Sequence, residues 1–350
     1  MNVLTSISVR SRSRNVPTQT RSRSARRALA TGILAFLGAT VAFAVWIERA
    51  DEFRDPAYGE KFGKLKFLCH SERKSLLVAF GSSRIAQGFD ALEAERTIRG
   101  AGADSTVVFN FGIAGGGPIT DSIYFRRMLR AGVVPDAIVF EVFPRMLHHE
   151  PNGPAESQWL SDERLSQAES AEFSIPFRSH IPWLERRSSI LCCNAAFFLT
   201  ESKCSSLMHA SDERGWQPYG DLTVSPDQRA IRTRETKNGY APALAKLDPG
   251  GRAAEELQRT TRDCHARGIP VLLLLMPEGT VFRDAYGPGA EDRLQSFLRA
   301  LEVPVCDART WFDDDQFADG HHFLSSGAAK FTKRLTTDVL IPFLRERGRP

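Results

Sequence analysis

Two stretches far apart in the chain hold residue types that suit nucleophilic chemistry. Gly81-Ser82-Ser83-Arg84 follows an apolar run, and Asp319-Gly320-His321-His322 lies near the C-terminal end. A serine hydroxyl is a weak nucleophile until a neighbouring base takes its proton. An Asp and a His three residues apart, on a loop entering a helix, fit that task. The carboxylate accepts from one imidazole nitrogen and leaves the other facing the hydroxyl. Gly81 permits a sharp exit from a strand. A hydroxyl at the helix start that follows meets free N–H groups and the macrodipole, both of which favour developing negative charge. A third stretch, Asn110 to Pro118, contains Gly112, Gly115, Gly116 and Gly117. Such small residues let backbone N–H groups approach a ligand, as an oxyanion hole or a phosphate cradle. The spacing fits neither GxGxxG nor a P-loop, which argues against a nucleotide site.

Each stretch has a plainer reading. A serine in that place also serves as a helix N-cap, with Arg84 on the surface. The two histidines, close to Asp307, Asp313, Asp314 and Asp315, also suit a metal site, or a polar loop without chemistry.

The elements that must position these residues follow an alternating pattern. Apolar runs at 76–80, 106–110, 137–142, 270–276 and 303–306 read as strands. Between them lie helical stretches at 90–102, from Pro118 onward, over Ala254–Cys264, and over Leu294–Leu301. A last helix spans 325–346, with Pro342 bending or ending it. Strand–helix alternation predicts a three-layer α/β/α fold on a parallel, flavodoxin-like sheet. Such sheets bind ligands at the carboxyl ends of their strands, where Gly81-Ser82-Ser83 falls. Residues 146–250 break the rhythm and read as an insertion. Its aromatics, Trp159, Phe173, Phe177, Trp183, Trp216 and Tyr219, are expected to build a small core of their own, with sugar stacking the competing use.

Charge divides the chain. Of 46 Lys and Arg, seven arginines lie in 1–47, which holds no acid; the remaining 39 face 42 Asp and Glu, a net of −3. The folded part therefore has no nucleic-acid footprint. Residues 28–47 carry no charge and are long enough for a bilayer core of about 30 Å. With arginines before and Glu48, Asp51 and Glu52 after, the positive-inside rule keeps 1–27 cytoplasmic and exports the rest. The competing reading is a signal peptide cleaved after Ala44. Residues 48–74 read as a charged connector, and 75–350 as the catalytic-type domain. Six cysteines sit in a compartment that permits disulfides: Cys192 or Cys193 with Cys204 would close a loop, while Cys264 and Cys306 are expected to be buried.

In order, the motifs resemble those of the SGNH (GDSL-type) hydrolase superfamily, over about 75–145 and 268–345. Gly81-Ser82-Ser83 is similar to its Gly-Asp-Ser block, which implies Ser83 as nucleophile. A glycine five residues after an asparagine implies Gly115 as an oxyanion donor, beside the Ser83 N–H. Asp319 and His322 are similar to its Asp-x-x-His block. The third block departs: counting from Glu141 puts Arg145 where the family has an oxyanion-donating asparagine. The Gly-Ser-Ser form, the single anchor and the insertion look like the membrane-anchored members that move or remove acyl groups on envelope polysaccharides, such as those of teichoic-acid D-alanylation and alginate O-acetylation. The resemblance implies an acylated carbohydrate or acyl donor as ligand and polysaccharide-assembly proteins as partners; residues 28–47 add a lipid bilayer, and a Ser-His-Asp chemistry complete without metal calls for no cofactor. The competing expectation is a non-catalytic accessory protein on the same fold.

Overall fold

The computed structural model describes residues 18–71, 75–102, 106–149, 164–173, 211–219 and 225–347. In chain order the main elements are α1 (Thr18–Arg49), α2 (Pro56–Ser71), β1 (Ser75–Phe80), α3 (Ser83–Gly88), α4 (Ala91–Gly100), β2 (Thr106–Asn110), α5 (Pro118–Arg130) and β3 (Ala137–Glu141). They continue with α6 (Pro226–Ala245), α7 (Arg252–Ala266), β4 (Val271–Leu275), α8 (Ala290–Arg299), β5 (Val305–Asp307) and α9 (Ser325–Leu335).

The five strands form one parallel sheet in the order β2-β1-β3-β4-β5, the flavodoxin-like order expected from the alternation. Leu77 pairs with Val108 on one side and Ala137 on the other. Because successive side chains point to opposite faces, each apolar run feeds two cores. Leu76, Val78, Phe80, Phe109, Phe140 and Leu273 pack under α2, α5, α7 and α8. Leu77, Ala79, Val108, Val139, Leu272 and Leu274 pack under α4 and α9. Each such buried Leu, Val or Phe side chain contributes about 1.5–3 kcal/mol. Asp90 caps α4 by accepting the Glu93 N–H, and Pro118 opens α5, where its missing N–H costs nothing. The final helix is interrupted by a π turn over Thr336–Leu340 just ahead of Pro342.

Three expectations need correction. Residues 48–74 are not a connector. Ala57, Tyr58, Phe62 and Leu65 of α2 are buried in the main core, so the folded unit begins before residue 75. A Cβ at Gly59 would fall 2.1 Å from the Glu52 carbonyl oxygen, so glycine is required for the preceding turn to cross α2. Second, the insertion's aromatics do not form a separate core among the described residues. Phe173 joins the main core and Trp216 packs on the opposite one, while Trp159, Phe177 and Trp183 lie outside the described residues. Third, Arg84 is buried rather than on the surface.

The stretch Arg23–Arg49 of α1 is long and apolar enough to cross a membrane. Its Leu34 and Phe36 are 69% and 71% exposed, so no core among the described residues covers them. The end of α1 is fastened to the domain by Arg54, which donates to the Ile47 and Glu48 carbonyls and to Glu169. Glu169 also accepts from Arg127, which donates as well to Asp55 and to the Arg164 carbonyl. Cys264 and Cys306 are buried as expected; Cys192, Cys193 and Cys204 lie outside the described residues.

Candidate active site

The site lies at the carboxyl ends of β1 and β3, the switch point of this sheet order. Two glycines allow the chain to crowd there. A Cβ on Gly81 would meet the Glu141 side chain and Ile85 at 2.6 Å, and one on Gly112 would meet the Ala86 nitrogen at 2.4 Å. Ser82 is the N-cap of α3, its hydroxyl accepting the Arg84 N–H. That frees Ser83, half-buried, to begin the helix, where its N–H has no acceptor within α3.

Ser83 Oγ lies 2.7 Å from His322 Nε2, and His322 Nδ1 lies 2.7 Å from Asp319 Oδ2. The other carboxylate oxygen accepts the backbone N–H groups of His321 and His322. Gly320, with φ of +91°, supplies the left-handed turn that lets both amides reach it. Burial pushes the Asp319 carboxyl up, but the His322 imidazole, its hydrogen bonds and His321 outweigh this and hold it well below the usual range. The carboxylate is therefore ionised and fixes the imidazole with Nε2 facing the serine. This is a complete acceptor chain for a hydroxyl proton.

The other expected residues sit nearby. Gly115 occupies the left-handed position, φ +74°, of a turn closed by the Gly116 N–H on the Ile113 carbonyl. That turn is docked beside the end of β1 by the Ile113 N–H bonding the Gly81 carbonyl. The Arg145 guanidinium lies over the Tyr240 ring, 5.9 Å from its centroid. Tyr240 in turn stacks on His321 at 5.2 Å. His321 is buried among Phe143, Tyr240 and Phe282, and its Nδ1 has no hydrogen-bond partner. Burial, with His322 and Arg84 adding, pulls its imidazolium far down, against the opposing pull of Asp319.

Asp319, His321 and His322 offer ligand atoms within 4.8 Å of one another, so the metal reading has a geometric basis. However, both ring nitrogens of His322 are already engaged. An ion there would displace Ser83 or Asp319.

Four positioning residues escaped the sequence reading. Glu141, buried at the end of β3, accepts the Ser82 N–H at 2.7 Å. Arg84 lies 3.6 Å from Glu141 and 3.7 Å from Glu278, and donates to the Met276 and Pro277 carbonyls. Asn110 donates to the Ile85 and Phe89 carbonyls and accepts the Gly112 N–H, pinning α3 to the glycine stretch. Lys61 of α2 reaches the carbonyls of Asn110, Gly112 and Gly215. The available signal was one polar residue closing each buried strand, Asn110 on β2 and Glu141 on β3.

Sheet order and site together define an α/β/α protein with a Ser-His-Asp constellation at its switch point. A family described as DUF1574, a protein of unknown function, matches residues 61–170, a span that ends before Asp319 and His322. A search of curated proteins gave no match. Among solved structures, a lipase/acylhydrolase from Enterococcus faecalis is 14% identical, with 79% of this chain and 98% of that chain covered and a TM-score of 0.34. A mutant of Axe2, an acetyl-xylooligosaccharide esterase from Geobacillus, is 10% identical over 79% of this chain and 95% of that chain, TM-score 0.36. A mutant of the esterase AlinE4 is 12% identical over 67% and 76%, TM-score 0.31.

Proposed function

We propose that this chain is a membrane-anchored serine acyl-ester hydrolase or O-acyltransferase, acting outside the cytoplasm on acylated carbohydrate of the envelope or of an exported polysaccharide. The observation that carries the chemistry is the unbroken Ser83–His322–Asp319 chain, with both links at 2.7 Å. The apolar helix of α1, behind an arginine-rich tail, supports the anchor and its orientation. The carbohydrate rests on the motif resemblance.

Ser83 Oγ attacks the acyl carbonyl carbon while His322 Nε2 takes the hydroxyl proton. The carbonyl oxygen becomes an oxyanion, received by the N–H groups of Ser83 and Gly115, with Arg145 a candidate third donor. The tetrahedral intermediate expels the alcohol oxygen, which takes the proton from His322, and an acyl-serine remains. Water, or a second sugar hydroxyl, then gives its proton to His322 and attacks that ester. Ser83 recovers its proton, and the acyl group leaves as a carboxylic acid or a new ester. Asp319 keeps the imidazole in the required tautomer throughout.

The second reading, a non-catalytic assembly or glycan-binding protein, is favoured by the arginine in place of an asparagine at 145. A fluorophosphonate probe separates the two. The full chain in detergent is expected to label, and Ser83→Ala to abolish labelling. Absence of labelling on folded protein would install the accessory reading. Turnover that persists in chelator is expected; its loss would favour the metal site.

A further inference from the structure

Beside the Ser-His-Asp loop lies a cavity of about 450 Å³, walled by α6 and by Gly279, Val281, Asp314 and Gly320. From α6 it takes Pro226, Arg229, Ala230, Thr233, Arg234 and Lys237. Arg229, Thr233 and Lys237 are spaced by four, as are Pro226, Ala230 and Arg234, so one helix face is presented to the cavity. Three of those side chains are cations, and none makes an ion pair among the described residues. Arg229 Nε is buried and has no hydrogen-bond partner. The single acid in the wall, Asp314, accepts the Thr280 N–H at 2.6 Å and keeps its charge, so three cations against one carboxylate leave the lining net positive. Three unpartnered cations around one concave space form a receptor for negative charge.

The cavity is joined to the chemistry by its Gly320 wall. Gly320 separates Asp319 from His321, and a Cβ there would meet Thr233 of α6 at 3.2 Å. One residue of α6, Arg232, donates to the Tyr219 hydroxyl, and the Tyr219 ring stacks beside His322 at 6.3 Å. The cavity is thus on the imidazole side of the site. In acyl transfer, His322 gives its proton to the departing alcohol oxygen and takes one from the incoming hydroxyl. The alcohol portion of the substrate must lie on that side.

We propose that Arg229, Arg234 and Lys237 bind a negatively charged group, carboxylate or phosphate, carried on the alcohol portion of the ester or on the accepting alcohol, and not on the acyl group. This rests on the acyl-ester reading and assigns the charge and the side of its substrate.

The test uses the full chain in detergent with four acetyl or succinyl esters: acetylated oligouronate, acetylated glycerol phosphate, acetylated xylooligosaccharide, and a succinyl ester of that neutral sugar. At least one anionic-alcohol ester is expected to be cleaved with kcat/KM roughly tenfold or more above the neutral one, a factor appropriate to charge-assisted hydrogen bonds. Salt should erode that advantage. In the variant Arg229→Ala/Arg234→Ala/Lys237→Ala, KM for the anionic ester should rise by on the order of tenfold or more. Arg229→Lys/Arg234→Lys should retain most of the preference. Removing Arg96, Arg262 and Arg299 as a charge-matched control should leave it in place. Which anionic ester is preferred tells uronate from phosphate. Equal use of neutral and anionic alcohols, or a preference that follows the succinyl group, overturns the proposal. If no ester is cleaved and Ser83 does not label, the acyl-ester reading has failed. Binding of unacylated oligouronate and glycerol phosphate then decides the cavity by itself: affinity lost in the triple alanine variant supports it, and absence of affinity for both refutes it.

Discussion

Arg84 and Arg234 both carry charge close to the loop of Asp319 and His322, but their surroundings differ. Arg84 is buried, faces Glu141 and Glu278, and donates to two backbone carbonyls. Arg234 is exposed on α6, lines an open cavity, and forms no ion pair among the described residues. A buried cation persists only where acceptors surround it, and those acceptors fix its place. Arg84 therefore holds architecture: through Glu141, which also grips the Ser82 N–H, it sets the turn that presents Ser83. An exposed cation without a partner keeps its hydrogen-bonding capacity for a ligand.

The largest expected effect tests that contrast directly. Arg84→Met leaves Glu141 and Glu278 buried without their cation. Removing one partner of such a cluster costs about 3–5 kcal/mol. Arg234→Met, by contrast, is expected to change stability by about 0.5 kcal/mol or less, as surface substitutions do. Urea unfolding followed by tryptophan fluorescence measures both. Equal losses in the two variants would erase the distinction between positioning and recognition cations.

A middle-sized effect concerns pH on the buried side. His321 stays neutral in the folded state, because burial, His322 and Arg84 all disfavour its cation. Its folded pKa lies below the unfolded value of about 6.5, so below that pH the unfolded chain binds the extra proton. Stability then falls as pH drops, by up to about 1.4 kcal/mol per unit for this one group. His321→Phe keeps a ring among Phe143, Tyr240 and Phe282 and removes the titration. The stability–pH slope between about 5 and 6.5 is expected to flatten. An unchanged slope would mean that His321 binds a proton equally in both states.

The same contrast explains what could be read from the sequence. The strand order followed from apolar runs alternating with helical stretches, because burial on both faces leaves no polar residue inside β3 or β4 until Glu141. The convergence of Ser83, Asp319 and His322 could be anticipated because the proposed chemistry calls for particular residue types at particular spacings. Arg84 and Glu141 were not, since a charged residue looks alike whether it faces water or a buried partner. Helix α2 was hidden for a similar reason. Its buried face is interleaved with Gly59, Lys61 and Gly63, and Lys61 is itself fully buried on three carbonyls. Long-range acceptors such as the Gly215 carbonyl leave no trace in local periodicity.

The smallest effect lies where the two sides meet. Tyr219 accepts the Arg232 guanidinium at 2.8 Å while its ring stacks beside His322. Tyr219→Phe keeps the ring and deletes the acceptor, a loss of about 0.5–1.5 kcal/mol for one such bond. With α6 less firmly tied to the imidazole, KM for an anionic ester is expected to rise several-fold while kcat holds. Steady-state kinetics on the preferred ester distinguish the parameters. A fall in kcat of a hundredfold with KM unchanged would move the phenol hydroxyl into the proton-transfer chemistry. The division would then be wrong at this residue, since a group reached from the recognition helix would be serving the transition state.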